Sequence, residues 1–123
     1  MSDIPTPPSA ADRRALLRQY KETPRPLGVY LARDVASGRI VALRAALDVD
    51  GAINRDRFEL RQGGHRDAAM QAVWRRGGED ALRFETVELL KPPTEERPYD
   101  PREALAEALA LWREELGFDG SAR

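Results

Sequence analysis

The chain has 123 residues and a mass of 13.8 kDa, the size of one ordinary domain. Its 20 lysines and arginines against 21 aspartates and glutamates leave a net charge of −1, so attraction to nucleic acid or an anionic membrane has to come from a local patch rather than the whole molecule. The lack of cysteine excludes disulfides, thiol catalysis and thiolate metal sites, and His65, as the only histidine, excludes a paired-histidine site within one chain.

Residues 1–9 hold Pro5, Pro7 and Pro8 and read as a disordered tail. A single domain is expected over 10–118, with a short tail over 119–123. Ala10, Leu16, Leu17 and Tyr20 predict a short helix from Ala10 to Tyr20, broken by Thr23-Pro24-Arg25-Pro26. Leu27 to Asp34 is rich in strand formers, Ser37-Gly38 signals a turn, and Ile40 to Leu47 is again mostly apolar. The pair predicts an antiparallel hairpin. Ala52 to Arg61 reads as a weakly amphipathic helix through Ile53 and Leu60, with Phe58 off the stripe. After the Gly63-Gly64 break, Asp67 to Arg76 predicts a helix burying Met70, Val73 and Trp74 and ended by Gly77-Gly78. Leu82 to Leu90 reads as a third strand whose alternation slips near Thr86-Val87, the mark of a bulge.

Pro92, Pro93 and Pro98 make Lys91 to Tyr99 a loop. The last helix is signed by Asp100 as N-cap, Pro101 as first helical residue and Glu103 as capping-box partner. Leu105, Ala108, Leu109, Trp112 and Leu116 give it one apolar stripe, and Gly117 closes it. A small sheet covered by helices packs this order of elements, so the fold class is α+β. No apolar run reaches the length of a membrane span and the N-terminus lacks a signal-peptide core, so a cytoplasmic protein is expected.

Ser2, Ser9, Ser37 and Ser121 with one histidine make a poor serine triad. Gly63-Gly64 and Gly77-Gly78 are pairs rather than a phosphate-cradling loop. Glu95, Glu96, Asp100 and Glu103 read as an acidic loop and helix start, where acids favour the first turn.

Several pieces, in order, resemble one family. They are Tyr20-Lys21-Glu22-Thr23, Gly28-Val29-Tyr30, Gly51-Ala52-Ile53-Asn54-Arg55, Gly64-His65-Arg66, Trp74 before Gly77-Gly78-Glu79-Asp80, Phe84-Glu85 and Leu111-Trp112. Together they span about residues 20 to 116 and are similar to the GIY-YIG nuclease superfamily, more closely to its small stand-alone bacterial members. The resemblance implies a three-stranded antiparallel sheet flanked by helices, and phosphodiester cleavage by two strand tyrosines, a helix arginine and a metal-binding glutamate. Tyr30 matches the first tyrosine. Val41 stands at the second, Ala52 at the arginine, with Arg55 one turn later as its replacement, and Leu109 at the glutamate.

A leucine offers no oxygen to a divalent ion. Glu107, two residues away, points about 200° around the helix. The resemblance therefore implies a catalytically degenerate domain with Tyr30 and Arg55 as remnant catalytic positions, no metal ligands and no cofactor. Tyr30 then reads as a half-buried strand tyrosine bonded through its hydroxyl. The alternative is a divergent endonuclease using Mg²⁺ or Mn²⁺, with the missing ligand from Glu103, Glu107 or another carboxylate.

Arg55, Arg57, Arg61 and Arg66 with His65, against Asp56 and Glu59, form the most basic stretch. Arginine forks suit phosphate oxygens, so DNA or RNA binding through these residues is the leading expectation. The bland reading is a solvated helix face with internal ion pairs, because arginine outnumbers lysine 18 to 2 throughout. His65 reads first as a structural hydrogen-bonder. A protein partner is the third possibility, through the proline-rich tail and the Pro92-Pro93 loop; the oligomeric state is left open.

Overall fold

The computed structural model describes residues 25–118; the helix expected over Ala10 to Tyr20, the tails 1–9 and 119–123 and the Tyr20-Lys21-Glu22-Thr23 piece lie outside them. The order is β1 (Leu27–Asp34), β2 (Ile40–Ala46), α1 (Val49–Gln62), α2 (Ala68–Gly77), a 3₁₀ turn (Gly78–Ala81), β3 (Leu82–Leu90) and α3 (Pro101–Leu116). The strands form one antiparallel sheet in the order β2-β1-β3. The α+β class and the three-stranded antiparallel sheet are as expected from the sequence.

β1 is central, and its residues alternate between two helical layers. Val29 and Leu31 pack with Leu43 of β2 and Ala108 of α3, while Leu109, Trp112 and Leu116 extend that layer. On the other face, Ala32 joins Ala42, Leu60 of α1, Met70 and Val73 of α2 and Leu82 of β3. Trp112 Nε1 donates to Glu88 Oε1 at 2.8 Å and ties α3 to β3.

The slip expected near Thr86-Val87 is a bulge. Val29 faces Glu88 and Tyr30 faces Thr86, leaving Val87 as the extra residue. Gly28 permits it: a Cβ there would lie 1.9 Å from the Glu88 carbonyl oxygen. On the β2 side, Tyr30 is directly opposite Arg44, so the two side chains share the α1–α2 face.

α1 begins three residues earlier than the sequence predicts. Asp48 accepts a bond from Gly51 N–H at 3.1 Å as N-cap, the Val49 N–H donates to Pro26 O at 2.7 Å, and the Val49 side chain is wholly buried. These ties outweigh the helix penalty of about 1 kcal/mol carried by Gly51. Asp67 caps α2, accepting from the N–H groups of Ala69 and Met70, and Asp100 caps α3 by accepting from Arg102 N–H.

Candidate functional site

Above the α1–α2 face of the sheet, Tyr30 is 4% exposed, and its hydroxyl donates to Asp56 Oδ2 of α1 at 2.7 Å. The other carboxylate oxygen, Asp56 Oδ1, lies 2.9 Å from His65 Nε2. His65 Nδ1 accepts from the Asp67 backbone N–H at 2.9 Å. That bond requires a lone pair on Nδ1, so the proton sits on Nε2 and the ring is a neutral donor to Asp56. Gln71 fixes the loop from below: its Oε1 accepts from His65 N–H at 2.9 Å and its Nε2 donates to Leu60 O at 3.1 Å. The result is a closed buried chain, Tyr30–Asp56–His65, in which each carboxylate oxygen has one donor.

This environment pushes the Tyr30 hydroxyl well above the usual tyrosine range. Burial is the largest cause, followed by the bond to Asp56 and its negative charge; Arg44 and Arg55 pull the other way. Tyr30 is thus a protonated donor at neutral pH.

Arg44 stands beside it. Its Nη2 donates to Asp67 Oδ2 at 2.7 Å and touches Met70 Sδ at 3.8 Å. Its Nε is buried without a partner, and its Nη1 has none among the described residues. Asp67 therefore caps α2 with one oxygen and anchors Arg44 with the other.

A cavity of about 350 Å³ opens over Tyr30, bordered by Arg44, Ala52, Arg55, Asp56, Glu59, His65, Arg66 and the Ala45–Asp48 segment. Of the residues singled out in the sequence, Tyr30, Arg55, His65 and Arg66 meet here, the two arginines exposed. Arg57 and Arg61 do not. The guanidinium of Arg57 lies 5.2 Å from the centre of the Phe84 ring, and Arg61 pairs with Glu79 at 3.8 Å. The expected single basic patch is therefore corrected. Two residues along a helix turn a side chain about 200°, so Arg57 cannot face the same way as Arg55. The His65 side chain is 1% exposed with both ring nitrogens engaged, so at the cavity's edge it orients Asp56 and has no free nitrogen for a ligand.

The other positions carried by the resemblance separate as well. Ala52 borders the Tyr30 cavity. Val41 and Leu109 instead line a neighbouring groove, joined to the cavity through Arg44 and Ala45. Leu109 is half-buried against the Val29, Leu31 and Leu43 layer. Glu103 and Glu107 line a third groove, with Leu90, Arg97 and Tyr99, and do not border the Tyr30 cavity.

The donor set does not suit a divalent ion. Among the described residues no group of three or more ligating side chains comes together. Asp48 is engaged as the α1 cap and lies 3.8 Å from Arg25, and Asp56 holds Tyr30 and His65. Glu59 shares the cavity lining with three arginines, whose charges oppose a cation there.

Sequence reasoning missed Asp56 and Arg44 as site residues. Asp56 had a signal: it falls on the stripe Val49, Ile53, Asp56, Leu60, and a carboxylate on a buried stripe needs partners. Arg44 had a weaker one, as a lone charge within an apolar strand.

No protein-family model and no curated protein matches the chain. Solved structures do resemble it. The catalytic domain of homing endonuclease I-TevI superimposes with a TM-score of 0.59 at 20% identity, over 74% of this chain and 88% of that one. A mutant of the catalytic domain of intron endonuclease I-TevI gives 0.60 at 18% identity, over 75% and 84%. The β2-β1-β3 sheet and its three helices thus have the fold of the GIY-YIG nucleases.

Proposed function

We propose that the chain is a GIY-YIG-fold domain that grips a nucleic-acid backbone at the Tyr30 cavity without cutting it. One observation carries the reading: three arginines, Arg44, Arg55 and Arg66, border a cavity whose tyrosine hydroxyl is already committed to Asp56. Guanidinium groups bind phosphate oxygens by charge-assisted hydrogen bonds. Cutting asks for more: a base or activated water, and a charge to stabilise the departing oxygen. Tyr30 holds its proton too firmly to act as a base near neutrality, and Leu109 stands where the resemblance puts the metal glutamate. Among the described residues Phe58 is the aromatic that stands well exposed, at 57%, so the contact follows the backbone rather than stacked bases. No helix among them is long and apolar enough to cross a membrane.

The test is a combined assay on single- and double-stranded DNA and RNA with Mg²⁺ or Mn²⁺, reading cleavage and binding of intact substrate in the same samples. Intact substrate and salt-sensitive binding are expected. Replacing Arg55 and Arg66 together by alanine should flatten the dependence of log affinity on log salt by about two. Cutting that vanishes in Tyr30→Phe would establish an active endonuclease instead. Absence of binding would turn the search to a protein partner.

A further inference from the structure

The misfit between the cavity and a divalent ion has a counterpart in the same place. Arg44 borders both the Tyr30 cavity and the Leu109 groove, the two regions between which the resemblance would distribute tyrosine and metal ligand. It is the cross-strand neighbour of Tyr30. Its position is fixed rather than floppy, because Nη2 is held by Asp67 Oδ2 at 2.7 Å and Asp67 is itself fixed as the α2 cap. The pairing leaves the guanidinium half used. Nε is a buried donor with no acceptor, and Nη1 has no partner among the described residues. An unmatched buried donor is disfavoured, and an anion drawn against this group, with a small shift of the side chain, relieves it.

From this we infer that Arg44 is a built-in cation: its guanidinium, steadied by Asp67, receives a phosphodiester of the bound strand and makes the site independent of any metal ion. The inference rests on the nucleic-acid reading above and specifies how that site recognises its ligand. Arg55 and Arg66 bring further charge from the rim, with Glu59 and Asp48 opposing. A guanidinium is always charged and directs its N–H groups in a plane, so it supplies the attraction an ion would supply with fixed direction. It activates no water. Binding without cleavage follows from that difference.

The experiment measures binding of one DNA duplex and its RNA counterpart to the full chain in EDTA and again in Mg²⁺, for the wild type, Arg44→Gln and Arg44→Lys. Equal wild-type affinity in both solutions is expected. Arg44→Gln should lose about tenfold, the loss of one charge-assisted bond, and its salt dependence should flatten by about one. Arg44→Lys, which keeps the charge without the planar fork, should fall between. As Arg44→Gln also breaks the Asp67 pair, a wild-type measurement stands beside it. Inorganic phosphate added in EDTA should move the Arg44 side-chain Nε–H resonance and leave that of Arg33, held by Glu85 at 2.8 Å, in place. Binding that requires Mg²⁺, an Arg44→Gln affinity equal to wild type, or an unmoved Arg44 resonance would overturn the inference while leaving the nucleic-acid reading intact. A wild type that binds neither nucleic acid overturns both.

Discussion

Both faces of the sheet carry an apolar core, although only one of them adds a chain of buried polar groups to it. Toward α3, Val29 and Leu31 of β1 meet Leu43, Ala108, Leu109 and Trp112, an interior of apolar groups. Toward α1 and α2, the residue between them, Tyr30, enters a chain of buried polar groups that runs through Asp56 to His65, with Arg44 and Asp67 alongside. Burying a carboxylate has a desolvation cost that apolar residues of similar volume avoid. A sheet selected for stability alone would repeat the α3 pattern on both faces. The α1–α2 layer has an apolar core of its own, Ala32, Val41, Ala42, Leu60, Met70, Val73 and Leu82, and places the polar chain beside it; the α3 layer has absorbed Leu109 into its packing.

The contrast is sharpest in what a truncation does on each face. Asp56→Ala leaves the Tyr30 hydroxyl and His65 Nε2–H buried without an acceptor, at about 4 kcal/mol for the two orphaned donors. Asp56→Asn should cost less than half as much, since an amide accepts from His65 and donates to the Tyr30 oxygen. Leu31→Ala removes apolar packing from a residue 3% exposed, at about 3 kcal/mol. Denaturant unfolding of the three variants checks the order. If Asp56→Ala proves milder than Leu31→Ala, water repairs the polar chain and the two faces differ less than their structure implies.

Much of the fold was legible in the sequence because its signals are local. β1 and β3 have the expected bounds, Leu27–Asp34 and Leu82–Leu90, and the α3 cap stands at Asp100. The Val87 bulge shows in the sequence as a slip in alternation. α1 starts at Val49 rather than at the expected Ala52 because the ties that begin it include a bond to Pro26, a contact a local reading lacks. The site was less legible. Arg55 and Arg57 are neighbours in a charge count and diverge on a helix, one to the cavity and one to Phe84. Arg44 became visible as a partner of Tyr30 only with the β1–β2 register, which is irregular between Ala32 and Arg33. The hairpin length alone does not determine it.

The gentlest change probes the polar chain itself. Tyr30→Phe keeps the ring and its contact with Phe84, whose centre is 6.4 Å away, and removes one bond to Asp56, so a loss of about 1 kcal/mol is expected at neutral pH. The informative quantity is how that loss changes with pH. Folding raises the Tyr30 pKa above the ordinary 10.0, so the unfolded chain releases this proton first as pH rises. The stability tied to the raised pKa is complete below pH 10 and falls above it by about 1.4 kcal/mol per pH unit, until the folded group also ionises. The phenylalanine variant has no such loss, while all other titrations are shared. The wild type's advantage should therefore vanish roughly one pH unit above 10 and then reverse. Unfolding curves of the pair across that interval read the crossing. A constant gap would mean that Tyr30 ionises as freely in the folded protein as in the unfolded chain. Its proton would then not be held by Asp56, and a tyrosine of that kind would be available again as a base.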